Sequence, residues 1–122
     1  MADFPRPPAH LEPYVNILGL EDAVTFLMHF GGGELYLARR VSEDSPVAEL
    51  IGRDAAEALG QAADRLPRRV PTGKPWLAEV FRSQGLSATQ IARRLHSSDV
   101  TVRRWLKQAD ERRSAARQIP LI

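Results

Sequence analysis

The chain has 122 residues, no cysteine and a formal net charge of +2. The absence of cysteine excludes disulfides and thiolate metal sites, and no run of about 18 apolar residues is present that would be typical of a membrane span. The first ten residues lack the basic region and the apolar core of a signal peptide, so we expect a cytoplasmic protein. A hydrophobic share of 43% is ordinary for a soluble globular domain.

The small net charge conceals an uneven distribution along the chain. Residues 1–66 carry five arginines against eleven acidic residues, whereas residues 67–122 carry twelve lysines and arginines against four acidic residues. This split suggests that the second half binds a polyanion and that the first half does not. The alternative is that the charged faces only keep the protein soluble.

The first half predicts a flexible arm followed by a helix–strand–helix lobe. Residues 1–10 contain three prolines and are predicted to be the arm. In the lobe, residues 11–66, apolar side chains recur at helical spacing up to Phe30. The glycines of 31–33 end this helix, and Leu35, Tyr36 and Leu37 then predict a short strand.

A second helix is predicted to start at Ser45-Pro46, where serine can cap it, and to continue to about Leu59 although Gly52 weakens its centre. Three prolines and a Thr-Gly pair follow, so residues 67–75 are predicted to be a linker or an extended segment at a lobe boundary. The segments 17–23 and 50–56 are similar and lie 33 residues apart. This similarity fits either a duplicated unit or chance resemblance between two amphipathic helices.

A single short strand cannot satisfy its own backbone, and the lobe is too small to bury its apolar stripes alone. Pairing of the same strand from two chains would solve both problems, which predicts a homodimer with Leu35, Tyr36 and Leu37 at its interface. The alternative is a small monomeric core in which Val70 lies on a second strand.

Residues 76–110 predict a three-helix domain containing a helix-turn-helix. Trp76 to Arg82 is the supporting helix, and Gly85 ends it. Ser87 and Gln90 match a capping box, in which each side chain satisfies a free backbone donor at the start of the next helix.

The turn is predicted at residues 96–98, with His96 in the left-handed position that glycine usually holds. Ser98 then caps a recognition helix of about Asp99 to Gln108. Val102, Trp105 and Leu106 pack inward in this interpretation. Residues 111–122 form a basic tail, either a helical extension or a disordered end. The alternative is a three-helix bundle whose basic face is only solvated.

The outward residues of the recognition helix, found by elimination, predict how DNA would be contacted. Asp99 suits cytosine N4, Val100 suits a thymine methyl group, and Arg103 or Arg104 suits guanine O6 and N7. The residues suited to phosphate are Thr101, Lys107, Arg93 and Arg94, and Ser98 also lies on the outward face.

Two segments together resemble the Mor transcription activator family, the phage Mu Mor and C proteins and their relatives. One runs from Leu18-Gly19-Leu20-Glu21-Asp22-Ala23 through Phe30-Gly31-Gly32-Gly33-Glu34-Leu35-Tyr36-Leu37, and the other is the predicted helix-turn-helix. The resemblance implies a mainly α homodimer with intertwined N-terminal lobes. It also implies binding to an imperfect palindrome in double-stranded DNA and activation of phage promoters by recruitment of the host RNA polymerase.

Other functions remain open at this stage. A DNA-binding assembly protein, such as a small terminase subunit or a recombination accessory factor, also joins a helix-turn-helix to an oligomerising lobe. A repressor and a pure protein-interaction module are further alternatives. We expect no enzyme, cofactor or metal, because the three histidines lack ligand spacing and no motif for a nucleophile or a phosphate loop is present.

Overall fold

The computed structural model describes residues 4–117, and these are mainly α-helical. The helices are α1 (Glu12–Phe30), α2 (Pro46–Ile51), α3 (Arg53–Gln61), α4 (Lys74–Ser83), α5 (Ala88–Leu95) and α6 (Asp99–Arg117), with a 3-10 turn at Ala63–Arg65. The chain divides into an N-terminal unit, residues 7–73, and a C-terminal unit, which holds the residues up to Arg6 and those from Lys74 onward. Within residues 4–117, no helix is both long enough and apolar enough to cross a membrane.

The core of the N-terminal unit forms around α1, which is kinked at Gly19. Gly19 has φ 80° and ψ 167°, a conformation open essentially only to glycine. Tyr14 and Phe26, on either side of the kink, stack with ring centroids 5.6 Å apart. The kink therefore lets one apolar stretch bury two sets of side chains against the same core.

The second predicted helix is in fact two, because Gly52 breaks it. Gly52 has φ 92° and ψ 159°, nearly the conformation of Gly19, which lies 33 residues earlier in the repeated segment. The equivalent alanines that follow, Ala23 and Ala56, are both buried. Matching kinks at matching positions favour duplication over chance.

The strand predicted at Leu35–Leu37 is absent: among the described residues, pairing is limited to one antiparallel bridge between Glu34 and Arg69. The Leu35 amide donates to the Arg68 carbonyl at 3.0 Å, and the Val70 amide donates to the Gly33 carbonyl at 2.9 Å. This pairing lies within one chain. It therefore resembles the monomeric alternative, in which Val70 lies beside the 35–37 segment, more than pairing between two chains.

Of the two alternatives for residues 67–75, residues 67–73 form the extended segment rather than a free linker, and the boundary between the two units falls at its end, between Gly73 and Lys74. Val70 is 2% exposed because its segment closes the N-terminal core, and α4 already begins at Lys74. The predicted arm is likewise held where it is described, since the Pro8 carbonyl accepts hydrogen bonds from the first amides of the α1 region. In the C-terminal unit, the Trp76 indole N–H donates to the Pro5 carbonyl at 2.9 Å.

The C-terminal unit consists of α4, α5 and α6, and each helix packs against both others. The last helix continues to Arg117, well beyond the predicted end at Gln108. Residues 111–117 of the predicted tail are thus a helical extension, while 118–122 lie outside the described residues.

Substitution of either kink glycine tests the role of the kinks. Gly19→Ala and Gly52→Ala should each lower the free energy of unfolding by about 1–3 kcal/mol, measured by urea denaturation. An added methyl group at either position meets no atom within 4 Å, so the cost would be backbone strain alone. Gly33→Ala is the control, because Gly33 lacks a positive φ and a methyl group there reaches only ordinary contact at 3.6 Å. Equal stability of all three variants would contradict the strain argument.

Candidate nucleic-acid interface

In the C-terminal unit, helices α5 and α6 both pack against α4. Leu77, Val80 and Phe81 are buried as predicted. The helix ends at Ser83, and Gly85 follows with φ 95°, so the chain can reverse. The Leu86 amide donates back to the Phe81 carbonyl at 3.1 Å, which satisfies one of the carbonyls at the helix end.

Helix α5 begins with the predicted capping box. The Gln90 amide donates to Ser87 Oγ at 3.2 Å, and the Ser87 amide donates to Gln90 Oε1 at 2.8 Å. The predicted apolar face of this helix is buried, and consists of Ile91, Ala92 and Leu95. The local sequence therefore fixes both the start of α5 and the side that it buries.

The turn between α5 and α6 depends on His96, which adopts the predicted left-handed conformation with φ 52° and ψ 46°. It is the one non-glycine residue with positive φ in residues 4–117. The Ser97 amide donates to the Ala92 carbonyl at 3.0 Å, which closes the end of α5. Ser98 Oγ then accepts the Thr101 amide at 3.1 Å and caps α6.

Helix α6 has one buried face and one open face. Val102, Leu106 and Ala109 are buried, and Trp105 is partly buried beside them. The residues on the opposite side are Val100, which is 74% exposed, and Arg103, Arg104 and Lys107, which are exposed as well. In the part of the chain that the structure describes, no carboxylate lies within 4 Å of these three cations.

The other polar residues at the start of α6 bond within the protein. Asp99 Oδ2 accepts the Thr89 hydroxyl at 3.0 Å, which joins the first turns of α5 and α6. The Ser98 hydroxyl donates to Thr101 Oγ1 at 2.8 Å. These bonds fix the relative position of the two helix starts, and the Asp99 carboxylate is only partly exposed.

Of the two arginines of α5, Arg94 lies on a different side of that helix from the side that faces α6. The Arg94 guanidinium lies 5.2 Å from the centre of the Phe81 ring, on the α4 side of the helix. Thr89, which bonds to Asp99 of α6, lies on another side of α5. At 100° per residue, Thr89 and Arg94 are about 140° apart around the helix axis. Arg93 is exposed between these two sides. The structure thus brings Val100, Arg103, Arg104 and Lys107 together but does not bring Arg94 to them.

An ion-pair network, which the sequence analysis did not predict, joins α6 to α4. Arg82 binds both carboxylate oxygens of Asp110, at 3.1 and 2.7 Å, and Arg113 binds the same carboxylate at 2.7 Å. Hydrogen bonds from Arg82 and Arg113 lower the pKa of Asp110 from 3.8 to about 2. Only the Asp110–Arg113 pair of this network could have been predicted from the sequence, because its residues are three positions apart on one helix.

A second pair, Arg112 with Glu79 at 3.3 Å, strengthens the same contact. Burial raises the pKa of Glu79, and the neighbouring arginines partly oppose that change. Together the pairs join the C-terminal half of α6 to α4.

The residues predicted for a dimer interface lie in the N-terminal unit. Tyr36 is 87% exposed, whereas Leu35 and Leu37 are half-buried. The Leu35 amide is already used in the pairing with Arg68, so one edge of this segment is occupied within the chain.

Comparisons with protein-family models, with curated proteins and with solved structures find no match to this chain. Among residues 4–117, no group of three histidine, aspartate or glutamate side chains is arranged to hold a metal ion. The open face of α6 holds three exposed cations and one exposed apolar residue.

The strain at His96 can be measured directly. His96→Gly should raise the free energy of unfolding by about 1 kcal/mol, because relief of about 1–2 kcal/mol of left-handed strain outweighs the added flexibility of the unfolded chain. His96→Ala retains a Cβ and should give no such gain. A destabilised His96→Gly variant would show that the imidazole contributes more than the backbone conformation costs.

The Asp110 network predicts a specific pH dependence. Because the folded-state pKa of Asp110 is about 2, below its ordinary 3.8, its stabilisation is present above about pH 4 and disappears as the pH falls toward 2. The difference in melting temperature between the wild type and Asp110→Asn should therefore shrink between pH 4 and pH 2. In an Arg82→Gln background the difference should be smaller above about pH 4, where Asp110 is ionised in the wild type. A difference that stays constant down to pH 2 would contradict this role.

Proposed function

We propose that the protein is a sequence-specific DNA-binding regulator in which α5 and α6 form a helix-turn-helix and α6 is the recognition helix. The observation that carries this proposal is the open face of α6, where Val100, Arg103, Arg104 and Lys107 are exposed together without an acidic partner within the described residues. A recognition helix needs such a face near its N-terminus, because that part approaches the base edges.

The proposed contacts follow from the chemistry of each side chain. Arg103 or Arg104 forms a bidentate contact with guanine, and Val100 contacts a thymine methyl group. Lys107 binds phosphate, and Arg93 is better oriented for phosphate than Arg94, whose guanidinium lies over Phe81.

The proposed active form is a homodimer on an imperfect palindrome in double-stranded DNA. Two copies would associate through the outward edge of the 34–37 segment, where Tyr36 is exposed and the backbone groups of Glu34 and Tyr36 make no backbone hydrogen bond in the described chain. The resemblance to the Mor family further suggests an activator that recruits the host RNA polymerase in the cytoplasm.

Single substitutions on α6 should separate base contacts from phosphate contacts. Arg104→Ala or Arg103→Ala should weaken binding to the preferred duplex by about 1–3 kcal/mol and relax the preference at one base pair. Lys107→Ala should weaken binding equally on all sequences and reduce the salt slope by about 1. Fluorescence anisotropy with specific and random duplexes measures both effects.

The matched control is Arg117→Ala, which removes an exposed arginine from the far end of the same helix. It should leave the base preference unchanged. If Arg103→Ala and Arg104→Ala both kept wild-type affinity and preference while the protein remained folded, the recognition-helix assignment would be wrong.

A further inference from the structure

The arginines of the N-terminal unit are concentrated in one place, which the charge counts for the two chain halves conceal. Of the six arginines in residues 7–73, Arg53 lies on α3, and the other five lie in two segments, 39–40 and 65–69, which the Arg39–Asp64 ion pair joins. The other five, here called the arginine cluster, are Arg39, Arg40, Arg65, Arg68 and Arg69, and all are exposed. Of the ten acidic residues of the unit, Glu34 and Asp64 line one groove with Arg39 and Arg68, and Asp44 lines another with Arg40.

Most of the cluster is not neutralised within the protein. Arg39 pairs with Asp64 at 3.5 Å, but both side chains are about 70% exposed, so this pair contributes little. Arg40, Arg65 and Arg68 have no carboxylate within 4 Å in the described part of the chain. Their guanidinium groups are therefore available for an external anion.

The paired backbone positions Arg68 and Arg69, and the pair with Asp64 places Arg39 beside the same segment. The Arg68 carbonyl accepts the Leu35 amide, and Arg69 donates to the Gly32 carbonyl at 2.7 Å. Arg39 and Arg68 line the same groove, with a volume of about 900 Å³. The Glu34 carboxylate also lines this groove, so an anion bound at the arginines would be repelled by it.

We propose that the arginine cluster is a second phosphate-binding surface, which contacts the backbone of duplex DNA without reading its sequence. Guanidinium groups bind phosphate with two parallel hydrogen bonds, and exposed arginines on two neighbouring segments, 39–40 and 65–69, match a row of phosphates better than a single small anion. The proposal rests on the proposed function, since it extends the same DNA contact to the N-terminal unit. It also gives that unit a role in binding that the acidic first half of the sequence does not suggest.

The test compares full-length variants in the dependence of DNA affinity on salt. Arg65→Gln with Arg68→Gln should reduce the slope of log affinity against log salt by about 0.9 for each phosphate that is no longer neutralised. Affinity should fall by the same factor on specific and random duplexes. Arg65→Lys with Arg68→Lys should restore the slope, because lysine binds phosphate as a point charge. Glu34→Gln should increase affinity at low salt.

Two control variants change the same charges elsewhere in the N-terminal unit. Arg53→Gln on α3 and Glu49→Gln on α2 should leave the slope unchanged, since both lie outside the paired segments. A wild-type slope in the Arg65/Arg68 glutamine variant would overturn the proposal, and would leave an acidic protein as the remaining partner for the cluster. Absence of DNA binding by the wild type would instead refute the proposed function, so the two failures are distinguishable.

Discussion

The burial of Val102, Leu106 and Ala109 against α4 and α5 is the constraint on which the functional interpretation depends. A helix has one outward face once its inward face is fixed, and here the outward face holds Val100 and three cations. The Arg82–Asp110 and Glu79–Arg112 pairs act along the same contact and fix the far end of α6. The apolar contacts supply most of the stability, because exposed ion pairs contribute little each. The ion pairs therefore orient the helix more than they stabilise it.

The features that could be predicted well from the sequence are local ones. The capping box of α5, the left-handed His96 and the buried face of α6 each depend on residues within a few positions of one another. Helix caps and side-chain periodicity encode such features directly in the chain. The length of α6 was underestimated, because the contacts that continue it, from Arg82 to Asp110 and from Glu79 to Arg112, join residues about 30 positions apart.

The N-terminal unit was predicted less well because its core is closed by distant segments. Proline-rich residues 67–75 have the composition of a linker, yet Val70 pairs with Gly33 and is buried. The predicted strand needed a partner, and the protein supplies one from its own chain over a single bridge. The repeated glycine was visible in the sequence, but only the matching backbone angles of Gly19 and Gly52 separate duplication from chance. Likewise, the charge counts for the two halves of the chain do not reveal the arginine cluster, because its members come from both halves.

Selection of bound duplexes from a random DNA pool, followed by sequencing, tests the proposed function most directly. We expect an inverted repeat whose half-site centres lie one or two helical turns apart, at about 10.5 base pairs per turn. That result would require sequence reading by two copies of α6. Recovery of no common motif despite salt-sensitive binding would contradict sequence-specific regulation and favour a packaging or architectural role. Retention of no DNA at all would contradict the assignment of α6 as a recognition helix.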